Sequence, residues 1–147
     1  MDLEIFPHIG VGNIRFNMPR DEVQKRIKGP FRTVRTSTLR DYYHDIGVFC
    51  GYDSADLLEY MEFASPARPV IAGMEFLGLP FREAFDMLRV LDSTVEADNN
   101  GATSFRFGVG MWNPAGKKNL EEPVETVIAF RPGYYDVVPP VVPGYFV

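Results

Sequence analysis

Apolar residues recur along this chain in two rhythms, one suited to helices and one to strands. Ile14-Arg15-Phe16 is a short extended run leading to Pro19, after which Val23 and Ile27 fall four apart on one helix face. Gly29-Pro30 ends that element. Pro19 suits the first turn, where the helix leaves its N–H groups unbonded anyway. Asp21 and Glu22 lie toward the positive end of the helix dipole, Lys25, Arg26 and Lys28 toward the negative end, and Gly29 is placed as a C-terminal cap. The design returns roughly sixty residues later, a spacing typical of an internal duplication. There Gly78-Leu79-Pro80 leads into a helix whose Phe81, Ala84, Phe85, Leu88 and Leu91 make one buried stripe, with Arg82, Glu83, Asp86 and Arg89 outside.

Between and after the helices the rhythm shortens to alternation. Residues 9–16 read as a strand reached through a glycine turn, and residues 31–40 as a polar, basic connector or an edge strand. A meander follows through 41–44, 48–52 and 57–63, with Leu57, Met61 and Phe63 on one face and Leu58 and Tyr60 on the other. Ala64-Ser65-Pro66-Ala67-Arg68-Pro69 reads as a linker. Further strands are predicted at 70–76, 94–98, 104–112 and 125–130, with Asn99-Asn100-Gly101 as the hairpin turn between the middle two. Gly47-Val48 then matches Gly108-Val109, Tyr52 falls near Trp112, and Tyr60-Met61-Glu62-Phe63 matches Val127-Ile128-Ala129-Phe130. The expected fold class is α+β: one domain over 1–147, built of tandem helix plus antiparallel meander units at 9–63 and 70–136 joined by the linker 64–69. The proline-rich tail 137–147 either packs along the body or serves as an arm for a partner or second subunit.

Composition fits a folded, sheet-rich globule. The chain has 147 residues, is 46% hydrophobic, and contains twelve Phe and seven Tyr. Its single cysteine, Cys50, rules out an intrachain disulfide. The acidic N-terminus lacks a basic flank and apolar run, and no stretch is long and apolar enough to span a bilayer, so a cytoplasmic location is expected. Formal net charge is −5, yet Arg15, Arg20, Lys25, Arg26, Lys28, Arg32, Arg35 and Arg40 are balanced locally only by Asp21 and Glu22. The remainder is therefore strongly acidic, which points to a basic protein partner rather than to nucleic acid or membrane.

Motifs for chemistry are sparse. Gly10 and Gly12 lack the third glycine or lysine of a phosphate loop. The histidines are His8 and His44; a Cys50–His44–Asp41 nucleophile set can be drawn, against the simpler reading of a core thiol and a structural histidine. Glu96-Ala97-Asp98-Asn99-Asn100-Gly101 resembles a calcium loop, but the closing carboxylate would fall at Phe107. No cofactor, metal or catalytic residue is predicted. Better candidates are the meander aromatics Tyr42, Tyr43, Tyr52, Tyr60 and Trp112 with the acids Asp53 and Glu59, a composition suited to a protein-binding surface.

The run through Met18, Glu22-Val23 and Ile27-Lys28-Gly29-Pro30 resembles the helix-leading motif of β-lactamase inhibitory protein and the small outer-membrane-assembly lipoproteins. The same resemblance extends more weakly over 74–91. It implies helices behind one curved antiparallel sheet whose concave face binds another protein. Asn17 and Pro19 stand where that superfamily usually has glycine and serine or threonine, and the disulfides of its exported members cannot form here. The expected function is a non-catalytic binding module, such as an inhibitor or an immunity protein that neutralises a toxin or enzyme. The alternative is a small-ligand or hydrolytic protein with its site in the sheet concavity.

Overall fold

The computed structural model describes residues 1–115 and 118–137, without the side chains of Asp136 and Val137; the tail beyond Val137, on which the packing-or-arm alternatives turn, lies outside them. The described residues form a sheet-dominated α+β fold of two helices and ten strands in two antiparallel sheets. The small sheet joins β1 (Ile5–Phe6), β2 (Gly10–Val11) and β3 (Ile14–Arg15) in that order. Helix α1 (Arg20–Arg26) follows, then β4 (Arg32–Arg35), β5 (Leu39–Tyr43), β6 (Val48–Tyr52) and β7 (Leu58–Phe63). Helix α2 (Phe81–Leu91) precedes β8 (Gly101–Ser104), β9 (Val109–Trp112) and β10 (Thr126–Phe130). The large sheet runs β4-β5-β6-β7-β10-β9-β8, so the two meanders meet at β7 and β10.

One face of the large sheet carries the core. Leu39, Tyr43, Val48, Cys50, Tyr52, Met61, Phe63, Val109, Met111, Val127 and Ala129 join Val23 of α1 and Phe81, Ala84 and Leu88 of α2 in a single buried cluster. Both helices are entered by one device. Asn17 (φ 70°) and Gly78 (φ 87°) take left-handed backbone, and two residues later Pro19 and Pro80 stand at the N-caps in extended conformation. Asn is one of the few side chains that tolerate this region, which suits it to a glycine-type position. The Asn17 and Gly78 amides donate to the Leu58 and Val124 carbonyls, and the Leu58 and Val124 amides donate back to Met18 and Leu79. Arg20 N–H bonds the Asp56 carbonyl as Phe81 N–H bonds that of Glu122. Each helix start is thereby stitched to the chain entering the last strand of its meander. The hairpins match as well: four-residue turns end in Gly47 (φ 70°) and Gly108 (φ 65°), whose carbonyls accept from Ala64 and Phe130.

Several expected boundaries move. The strand read over 104–112 is broken by the turn Phe105–Gly108, so that turn, and not Asn99-Asn100-Gly101, closes the β8–β9 hairpin. Residues 94–98 form no strand; Ala97 only bridges Ala102, while Asp98 Oδ1 accepts the Asn100 and Gly101 amides. Residues 70–76 are not a strand either. Ala72 and Gly73 turn left-handed, and Val70 instead bonds Leu3 and Ile5 at the N-terminus. Helix α1 stops at Arg26 with Ile27 as C-cap, before Gly29.

In β7 the register shifts: Gly51 faces Tyr60 and Tyr52 faces Leu58, leaving Glu59 as the extra residue of a bulge. Leu58 consequently joins Met61 and Phe63 in the core, whereas alternation alone puts it beside Tyr60. Tyr60 lies on the outer face flat against Gly51, where a Cβ would come within 1.9 Å of its ring. Tyr60 is 4% exposed and cannot swing away. Gly51→Ala is therefore expected to destabilise the fold by about 1–3 kcal/mol, the usual cost of overpacking, read as a lower denaturant midpoint at unchanged slope.

Candidate functional site

The outer face of the large sheet, opposite the helices, is where the predicted aromatic residues divide. Tyr42 projects there from β5 and stacks on Phe49 of β6, with ring centroids 4.0 Å apart and planes 11° from parallel. The Arg40 guanidinium sits 4.5 Å from the Phe49 centroid and donates to Glu62 Oε2 at 3.1 Å. Tyr42 and Phe49 are half-buried, so the pair presents one rim to solvent. Beyond them, Tyr60, Ile128 and Phe130 form a second small apolar cluster, covered by Tyr134 and Tyr135 of the 3-10 turn Tyr134–Val137. Phe105, 63% exposed, closes edge-on against Tyr135 at 5.3 Å. Trp112 stands on the far side of that cover, four strands from Tyr42, or roughly 19 Å at ordinary strand spacing.

Of the seven residues expected to form one binding face, only Tyr42 and Trp112 therefore keep a partly open outer-face position. Tyr43 and Tyr52 are 1% and 0% exposed on the core face, and Tyr60 lies beneath Tyr134. The alternation placing Tyr43 and Tyr52 inward is legible only once the strand bounds are known, because Cys50 and Val48 set the same parity.

Asp53 and Glu59 are committed to an internal cation that the sequence reading missed. Arg131, just after β10, donates from one nitrogen to Asn17 Oδ1 and Asp53 Oδ2, both at 2.9 Å, and places the other 3.7 Å from Glu59 Oε1. It ties the α1 lead-in turn, the β6–β7 turn and the β7 bulge together. Burial alone would raise Asp53, but the Leu57 amide, Arg131 and the Ala55 amide more than reverse it, leaving its carboxyl below the ordinary aspartate value. At Glu59 burial prevails over the more distant Arg131 and, with Asp53 nearby, holds the carboxyl above its ordinary value. Glu62 is likewise raised by burial, which Arg40 only partly offsets.

The Cys50–His44–Asp41 set does not assemble. Asp41 and Cys50 face each other across β5 and β6 on the core side, whereas His44 lies in the following turn with Nδ1 2.9 Å from Asp45 Oδ1. Burial pushes the Cys50 thiol up, the wrong direction for a nucleophile. Asp41 is wholly enclosed and accepts from Arg20 Nε at 2.9 Å and Nη2 at 2.8 Å, from Gln24 at 3.0 Å and from Thr33 at 2.9 Å. Burial pushes its pKa upward, and those four donors reverse the effect and hold it low. Among the described residues no group of three or more His, Cys, Asp or Glu is placed to hold a metal ion. No helix there is long and apolar enough to cross a membrane. An open depression of about 580 Å³ is lined by Met1, Asp2, Asn13, Arg26, Lys28 and Ile46, and touches neither Cys50 nor His44. No protein-family model, curated protein or solved structure matches this chain.

The two kinds of carboxyl give acid titration a definite shape. Glu59 and Glu62, raised in the fold above 4.5, bind protons there sooner than in the unfolded chain, so stability rises as pH falls toward 4.5. Asp41 and Asp53, lowered below 3.8, contribute stability that is full above that value and lost as pH falls through their folded values. Denaturant titrations between pH 7 and pH 2 should show both limbs. Asp41→Asn should lower stability at pH 7 by about 1–3 kcal/mol, since it weakens charge-assisted hydrogen bonds, and should flatten the acid limb.

Proposed function

We propose that this chain is a non-catalytic protein-binding module that uses the uncovered half of its outer sheet face. The observation that carries the reading is the Tyr42–Phe49 stack: an aromatic pair under an arginine, left open while the neighbouring half of the same face is sealed by Tyr134 and Tyr135. Rigid aromatic surface flanked by arginine is the composition of interface hot spots. A module of this kind acts by occupying its partner, as an inhibitor or immunity protein does.

The tandem architecture belongs to the same proposal. The matching left-handed residue, the following N-cap proline and the reciprocal bonds at Leu58 and Val124 support a duplicated helix–meander unit. So do the paired hairpin turns ending at Gly47 and Gly108. In the described registers Val48 pairs with Phe63 and Val109 with Ala129, so the units superimpose with Phe63 on Ala129, one residue from the match read in sequence.

The acidic character expected of the face is weakened by Arg131, which pairs with Asp53 and lies 3.7 Å from Glu59, and the open half carries the Arg40–Glu62 pair and Arg32. The test is capture from the native lysate with the full chain, comparing Tyr42→Ser/Phe49→Thr with the unsubstituted protein. A stoichiometric protein partner should be weakened at least tenfold by that pair, with the melting temperature held within a few degrees, and left unchanged by Trp112→Thr. Equal retention of the partner by the Tyr42/Phe49 variant sinks the face as the site.

A further inference from the structure

We infer that β4 is a docking edge that accepts an extended acidic segment of another protein as an eighth strand. This rests on the protein-binding reading of the same half-sheet and identifies the chemistry of the partner.

The two ends of the large sheet are treated differently. At β8 the chain covers its own edge, with Ala97 bridging Ala102 and the Asp98 amide bonded to the Gly101 carbonyl. At β4 no described residue pairs with the outer side, and Arg32, Thr33, Val34 and Arg35 are all exposed. In an antiparallel ladder every second residue of an edge strand turns its N–H and C=O outward, a template for strand addition.

The edge is also held ready. Thr33 donates to Asp41 Oδ1 at 2.9 Å and accepts from Arg20 Nη2 at 3.0 Å, so the enclosed carboxylate fastens the middle of β4 without burying it. Polar fixation keeps the strand in register although Val34 is 46% and the preceding Phe31 39% exposed.

Charge selects the occupant. Arg32 and Arg35, with Lys25 and Lys28 just before them, have no acidic partner among the described residues, and no acid occurs from Lys25 to Arg40. A second copy pairing antiparallel through β4 would set arginines against arginines, so the feature that deters self-association favours an acidic strand. Side chains of that strand would continue onto the outer face beside Arg32 and Val34, next to Tyr42 and Arg40, their register partners on β5.

The experiment uses the full chain labelled for amide NMR at low salt. The probes are three ten-residue peptides: one alternating glutamate with valine and threonine, the same peptide N-methylated at alternate residues, and a lysine-for-glutamate version. The acidic peptide should shift the Arg32–Arg35 amides and slow their hydrogen exchange. N-methylation, which keeps charge and side chains but removes backbone donors, should weaken binding at least tenfold, and the lysine peptide should not bind. Arg32→Gln/Arg35→Gln should weaken the acidic peptide at least fivefold with an unchanged circular dichroism spectrum. Unmoved β4 amides at millimolar peptide, or equal binding of the N-methylated peptide, overturns the proposal. So does a dimer with protected β4 amides in the absence of peptide, or displacement of the peptide by a single-stranded oligonucleotide. If β4 fails these tests while Tyr42→Ser/Phe49→Thr still loses its captured partner, the edge is wrong and the face reading stands; the reverse result separates them equally.

Discussion

A sheet has two faces, and the described residues offer two short α-helices with which to cover them. Both go to the same side, where Val23, Phe81, Ala84 and Leu88 close a core over β5 to β10. The other side is covered differently. Its centre is sealed not by a helix but by a pair of tyrosines on a single turn, lying over Tyr60, Ile128 and Phe130. Its β5–β6 quarter is sealed by nothing described, and there an aromatic stack and an arginine meet solvent. Apolar surface left open beside apolar surface deliberately closed is the asymmetry expected of a contact site.

Charge is handled with the same economy. Asp41 points into the core, where an unpaired carboxylate would be prohibitive, and it is tolerated because Arg20, Gln24 and Thr33 supply four donors. Those donors come from α1 and β4, so satisfying one carboxylate fixes a helix and an edge strand to the sheet. Arg131 does the corresponding work beside the β6–β7 turn, where the bulge at Glu59 and the left-handed turn at Asn17 converge.

The helices and the parts of the strands with strong alternation were legible from sequence because a proline start and a regular apolar stripe leave few alternatives. The β8–β9 hairpin was not. Asn99-Asn100-Gly101 carries the stronger local turn signal, and only tertiary pairing shows that Phe105–Gly108 makes the hairpin while the Asn-Gly turn folds the preceding chain over the edge. The aromatic face failed for a related reason. Plain alternation sends Tyr43 and Tyr52 inward and Tyr42 and Tyr60 outward, and the one-residue bulge then turns Leu58 into the core, away from Tyr60. Arg131 was invisible because its partners Asn17, Asp53 and Glu59 are distant in the chain and their convergence depends on that same bulge.

The meeting of β7 with β10 has a consequence for how the chain reaches this state. Every other neighbour pair in the large sheet joins consecutive strands, the longest connection being residues 113–125 between β9 and β10, whereas Phe63 must find Val127 across a loop of about sixty residues. On this topology the local pairings are expected to form faster than the β7–β10 seam. Until that seam closes, β7 and β10 are both raw edges, each rich in apolar residues and each open to the same strand of a neighbouring molecule. The central seam, buried in the finished protein, is thus where half-folded chains at high concentration are expected to exchange strands.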